Sequence, residues 1–209
     1  VHADATLLLD LEFNNKRAYI IELMSNKPVR RRLTTEQRRL ELIRSAAQLL
    51  GTRPYEDVSI DEIAEHAGAS RALLYHYFPS KQELAREVVQ HESTALRAAI
   101  EGQDLPAALA AYLDYVESHP DGYRLLHEGA LRLDSEIRGV ISESREHVER
   151  IVLELLGTTN PGPAARLAVR GWTGFVIAIC LEWINDSGID RRTVEAILTR
   201  SLDQLVHSA

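Results

Sequence analysis

Between residues 59 and 81 the chain gathers side chains that can hold nucleic acid without making or breaking a bond. Ser70 and Arg71 open what reads as a short helix, and Tyr75, Tyr77 and Lys81 follow toward its far end. A guanidinium near a helix start can donate paired hydrogen bonds to the major-groove edge of guanine. Ala69 and Ala72 are small enough to let that helix approach base edges closely, and Ala69 or Leu73 can touch a thymine methyl. The phenols of Tyr75 and Tyr77 and the Lys81 ammonium suit phosphate oxygens, contacts that orient a protein on DNA without reading sequence. Ser59 and Ser70, each at a helix start, offer backbone N–H groups to further phosphates. Arg30, Arg31 and Arg32 add a basic run just ahead of the first helix.

These groups need short helices to hold them, and the local pattern supplies them. Thr34 and Gln37 have the spacing of a capping box, and Leu40, Ile43, Ala47 and Leu50 then fall on one face of a helix ending near Gly51. A connector with Pro54 leads to Ser59, whose partner three residues on is Glu62. Ile60, Ile63 and Ala64 give the second helix its inner face. Ala67-Gly68-Ala69 reads as a tight turn, and Gly68 suits the backbone there. Ser70 caps the third helix, which presents Leu74 and Phe78 inward and stops before Pro79. The geometry is that of a helix-turn-helix. A plain amphipathic helix pair with surface charges is the bland alternative.

The stretch from Val58 to Ser70, VSIDEIAEHAGAS, followed by Leu74 to Leu84, LYHYFPSKQEL, resembles the signature of TetR-family transcriptional regulators. The resemblance covers about residues 34–90, with caps, turn, aromatic cluster and lysine all in register. It implies an N-terminal three-helix DNA-binding domain, a C-terminal helical ligand domain and a homodimer. It also implies phosphate contacts from Ser59, Tyr75, Tyr77 and Lys81, and repression as the regulatory mode. Two positions depart from the pattern. Leu73 stands where a small polar residue is frequent, and Pro54 where a glycine is common.

Composition agrees with an all-α chain: 45% of the 209 residues are hydrophobic, mostly aliphatic, and helical spacings dominate. The net charge of −7 is unevenly spread. Residues 24–86 hold 11 Lys/Arg against 8 Asp/Glu, whereas residues 87–209 hold 11 against 19. The acidity therefore lies away from the expected DNA-binding part. The expected organisation is an extension over 1–26, a helix-turn-helix domain over 27–82 and an effector-binding and dimerisation domain over 83–209. Met24, the one methionine, is a candidate translation start, with residues 1–23 upstream of it; a short native helix is the alternative. Those residues lack a signal-peptide pattern. No apolar stretch reads as long and uninterrupted enough to cross a membrane. With the single cysteine, Cys180, in an apolar run, a cytoplasmic protein is expected.

Beyond residue 100 the pattern predicts helices over about 105–118, 122–132, 135–156, 162–185 and 190–206. Stripes at Leu105, Leu109, Tyr112, Leu113 and Val116, and at Ile137, Ile141, Ser144, Val148, Ile151 and Leu155, face inward. Ser144 either bonds back to its own helix or sets a polar point in a cavity. His127 either lines that cavity or is a satisfied core or surface histidine. Tyr112, Val116, Leu126, His127, Ser144, Trp172, Phe175 and Ile179 are the candidate lining of a pocket for a small apolar or amphipathic effector. Residues 164–184 are apolar around most of a helix, so that helix is either central to the monomer or, with the last helix, part of a four-helix interface between two copies, which the resemblance favours. No serine elbow, Gly-rich phosphate loop, zinc motif or paired histidine spacing occurs, so no cofactor, metal or catalytic role is expected. The leading expectation is a dimeric, effector-released repressor on palindromic double-stranded operator DNA. An all-α enzyme, or a DNA binder answering to a protein partner, are the other readings.

Overall fold

A computed structural model describes residues 33–128, 135–158, 160–185 and 188–208. The expected extension over 1–26 and the run Arg30, Arg31 and Arg32 lie outside the described residues. Among those residues the chain is all helical, with α1 (Thr35–Thr52), a 3₁₀ turn (Tyr55–Asp57), α2 (Ile60–His66), α3 (Arg71–Tyr77), α4 (Lys81–Ile100), α5 (Leu105–Ser118), α6 (Pro120–His127), α7 (Ser135–Leu155), α8 (Pro163–Asn185) and α9 (Arg191–Ser208). Residues 37–209 form one compact unit.

The caps explain the boundaries. Ser59, Ser70, Ser80 and Asp104 each accept a hydrogen bond from the backbone N–H three residues on, satisfying a donor the helix start leaves open. Gly68 takes φ +59° in the turn between α2 and α3, a conformation that side chains with a Cβ disfavour. α6 starts at Pro120, two residues earlier than the pattern predicts, because a proline at the first helical position gives up no intrahelical bond.

One apolar core runs from the small N-terminal helices into the body. Leu42, Ile43, Ala46, Ala47 and Leu50 of α1 close over Ile63, Leu74 and Phe78, and the same cluster continues through Leu84, Val88 and Leu96 of α4 to Leu113, Tyr123 and Cys180. Leu40, expected on that face, is only half-buried. The long α4 is the shared wall, packed on α5, α6 and α7. α8 is, among the described residues, the one helix long and apolar enough to cross a membrane. This corrects the expectation of no such stretch. It packs instead on α5, α6, α7 and α9, and it carries Arg166, Arg170 and Glu182.

Candidate nucleic-acid interface and effector pocket

Hydrogen bonds fix the connector to the start of α2, and the core packs α2 against α3. Ser59 and Glu62 form a reciprocal capping box, with Ser59 N–H donating to the Glu62 carboxylate at 2.7 Å and Glu62 N–H to Ser59 Oγ at 3.1 Å. That box occupies the Ser59 N–H, which the sequence pattern had left open for phosphate. Arg53 bonds the same Glu62 carboxylate at 2.8 Å and also donates to the Asp57 carbonyl, tying the connector to α2. Donation from Arg53 is the main reason the Glu62 carboxyl is pulled down to about 2, with the Ser59 backbone and hydroxyl adding to it. From the inner side, Ile63, Leu74 and Phe78 are fully enclosed.

What remains outward on α3 is the surface expected to meet DNA. Ser70, Arg71, Ala72 and Tyr75 are exposed, and Ala69, Leu73 and Tyr77 are half-buried beside them. Arg71 Nη1 lies 2.7 Å from Asp61 of α2, and its guanidinium sits 5.5 Å from the centre of the Tyr75 ring. Both ends of that ion pair are about 60% exposed, so opening it costs on the order of 1 kcal/mol or less. Arg71 is thus parked in the free protein, beside the phenol expected to hold phosphate. Lys81 is placed differently. Its ammonium donates to the Tyr55 carbonyl and stands 4.0 Å from the Tyr55 ring centre. It secures the connector from the start of α4, and partial desolvation lowers its pKa.

Two adjoining, largely apolar cavities lie between α4, α5, α6, α7 and α8. The larger, about 40 Å³, is walled by Ile100, Leu105, Ala108, Leu109, Tyr112, Val148, Ile151, Val152, Leu155, Trp172, Thr173 and Val176, from α4, α5, α7 and α8. The smaller, about 20 Å³, reaches α6 and is lined by Ser93, Leu96, Leu126, His127, Ile141, Ser144, Arg145 and Ile177. Tyr112, Val148 and Thr173 line both. Of the expected pocket residues, the structure brings Tyr112, Leu126, His127, Ser144 and Trp172 to these cavities. Val116, Phe175 and Ile179 line neither. Val116 is buried in the core, Ile179 is packed against it, and Phe175 is 39% exposed on the outer side of α8.

Burial governs the chemistry of the smaller cavity. His127 keeps part of its residue surface open, yet among the described residues neither ring nitrogen has a hydrogen-bond partner, and both are shielded. Burial, and secondarily Arg145, push its pKa down to about 3, so the ring is neutral at ordinary pH. Ser93 Oγ is likewise shielded and unbonded. The Tyr112 and Tyr123 hydroxyls bond each other at 2.8 Å, and burial raises both pKa values. Cys180 is fully enclosed and its thiol pushed up to about 12, as suits an inert core cysteine. Ser93 is a residue the sequence reading missed. Its spacing from Val89 and Leu96 put it on the inner stripe of α4, which was the available signal.

Comparison with known proteins agrees with this division. The family model of bacterial regulatory proteins of the tetR family matches residues 42–88, and that of the tetracyclin repressor-like C-terminal domain matches residues 101–205. The HTH-type transcriptional activator FasR of Mycolicibacterium smegmatis is 30% identical over 172 residues, which are 77% of this chain and 78% of that protein. A tetR-family transcriptional regulator from Streptomyces coelicolor superposes with a TM-score of 0.71 at 30% identity, over 83% of this chain and 82% of that one. The regulator FadR from Bacillus subtilis, solved in complex with stearoyl-CoA, shares the fold with a TM-score of 0.61 at 20% identity, over 80% of this chain and 97% of that one.

Proposed function

We propose, since this chain belongs to the TetR family of bacterial regulatory proteins, that it controls transcription as a homodimer whose hold on operator DNA is set by a small apolar or amphipathic effector. It is a DNA-binding transcriptional regulator; the assembly, the effector and the regulatory mode are the further steps of this reading. The observation that carries it is the exposed Ser70–Arg71–Ala72–Tyr75 surface on a rigidly capped α3, joined by one core to a cavity-bearing body. Each α3 enters a major groove, Arg71 leaves Asp61 for a base edge, and Tyr75 and Tyr77 hold phosphates. Lys81 acts on the phosphates through the connector it secures as well as by its charge. Arg30, Arg31 and Arg32 supply further positive charge for phosphates.

Dimerisation rests on α8. Leu167 is 73% exposed, and Gly171, Gly174, Phe175 and Ala178 continue the same open apolar face. Ile197 of α9 is also exposed, while Val194, Leu198 and Leu202 are buried in the body. Small residues flanked by Leu167 and Phe175 let two such helices approach closely. A cytoplasmic location follows from work on DNA.

For the mode, release of a repressor is the family expectation, and the activator relative FasR favours ligand-dependent activation as the second reading. Transcription in vitro from a promoter carrying the selected operator separates them. Repression predicts less transcript on adding the protein and recovery with effector; activation predicts more transcript. No change in either direction, with the operator bound, would count against both.

A further inference from the structure

The smaller cavity has a polar end that no group among the described residues satisfies, and it adjoins an apolar one. Ser93, 1% exposed, and His127 present three shielded polar atoms without partners. A buried polar atom left unbonded destabilises the fold. A sensor that carries such groups gains stability when a ligand satisfies them. The chemistry of the ligand is constrained by charge. Arg145 lines the cavity from the exposed side of α7 and makes no ion pair among the described residues, and no Asp or Glu lines the cavity. Beyond Tyr112, Val148 and Thr173, the larger cavity offers aliphatic walls and the Trp172 ring.

Resting on the reading of the body as an effector sensor, we propose that the Ser93–His127–Arg145 end binds the carboxylate of an apolar monocarboxylic acid, whose hydrocarbon tail runs past Tyr112 and Val148 into the larger cavity. The carboxylate accepts from the Ser93 hydroxyl, one His127 N–H and the Arg145 guanidinium. Charge-assisted bonds of this kind are stronger than neutral ones. Cavities of about 20 and 40 Å³ hold waters rather than a chain, so binding must part the helices. The parts that move first are those carrying the head group's partners, α4, α6 and α7. At its other end α6 lies against α1: a Cβ added at Gly51 would stand 2.0 Å from the Asp121 carbonyl. Head-group capture and the position of α1 are therefore linked through one short helix.

The test is calorimetric titration of the full chain with dodecanoate, 1-dodecanol and dodecanoyl-CoA, for the wild type and for Arg145→Gln, Ser93→Ala and His127→Leu. Arg145 is exposed, so its variant keeps the fold and the test stays decisive if a core variant does not. The expected result is dodecanoate bound about tenfold or more tighter than the alcohol. Arg145→Gln and Ser93→Ala should each remove about tenfold of the dodecanoate affinity and leave the alcohol within about twofold. Alcohol and acid bound equally by the wild type would overturn the carboxylate site while leaving an apolar sensor standing, with water alone satisfying Ser93 and His127. The thioester bound tighter than the acid, with Arg145→Gln and Ser93→Ala leaving the acid unaffected, would overturn it too. Binding of none of the three would overturn the apolar-effector reading together with it.

Discussion

Arg71 must leave one partner to gain another, and that exchange is cheap because the Asp61 pair is open to solvent. Arg71→Ala should lower discrimination at one base pair by about 1–3 kcal/mol while leaving affinity for unrelated DNA nearly unchanged, read by competition binding. Asp61→Asn frees the guanidinium and removes a negative charge from the DNA face, so affinity for all DNA should rise a few-fold, most at low salt. Lys81→Ala should weaken binding to all sequences alike and reduce the salt slope by about one. Loss of its bond to the Tyr55 carbonyl adds a stability cost that a thermal melt separates. His127 gives a pH signature of its own. Its folded pKa, near 3, lies below the unfolded value of about 6.5, so the unfolded chain binds the extra proton first. The neutral ring's contribution is whole above pH 6.5 and is lost as pH falls toward 3. His127→Leu should flatten stability across that window, and an unchanged slope would show that the ring is not held neutral.

Short helices such as α2 and α3, seven residues each, are marginal alone and depend on caps and on the core. Ser59→Ala removes one side of the capping box and should cost about 1 kcal/mol, a fall of about 2–4 °C in Tm for a chain of this size. Glu62 adds a pH dependence of the opposite chemistry and the same sign. Its folded pKa, near 2, lies below the ordinary 4.5, so its contribution is present above pH 4.5 and is lost as pH falls to 2. Gly122 is required by a close approach: a Cβ there would fall 2.3 Å from the Glu92 carboxylate, which is buried and bonded to the Tyr115 hydroxyl at 2.7 Å. Gly122→Ala should destabilise by about 1–3 kcal/mol through overpacking, measured by denaturant unfolding. At this scale the sequence was readable because the signals are local. Caps at Ser59 and Ser70, the turn at Gly68 and the stop at Pro79 each act within four residues, and they place α2 and α3 to within a residue. The start of α6 was misplaced because His119-Pro120-Asp121-Gly122 carries turn and helix-start chemistry at once.

Across the whole molecule local signals no longer suffice, because which helix faces meet depends on crossing geometry that no single helix encodes. α8 shows this most clearly. A helix apolar on nearly every side has little preference for one face, so Trp172 and Phe175 look alike in sequence, yet one lines the cavity and the other lies on the open surface. Ser93 and Arg145 were passed over for the converse reason, since polar residues on long helices usually face water. The open stripe also carries the assembly. Phe175→Glu should yield monomers by light scattering with helicity intact, and operator affinity should fall by orders of magnitude as the two half-sites lose their linkage. Whether α3 reads bases through Arg71 in a two-fold assembly is decided by selection of bound DNA from a random pool. The expected product is an inverted repeat with half-sites about one helical turn or a multiple apart, with loss of preference at one symmetric position when the selection is repeated with Arg71→Ala. Recovery of no shared sequence, or of the same sequence with the same preference from both proteins, would rule out base reading by Arg71.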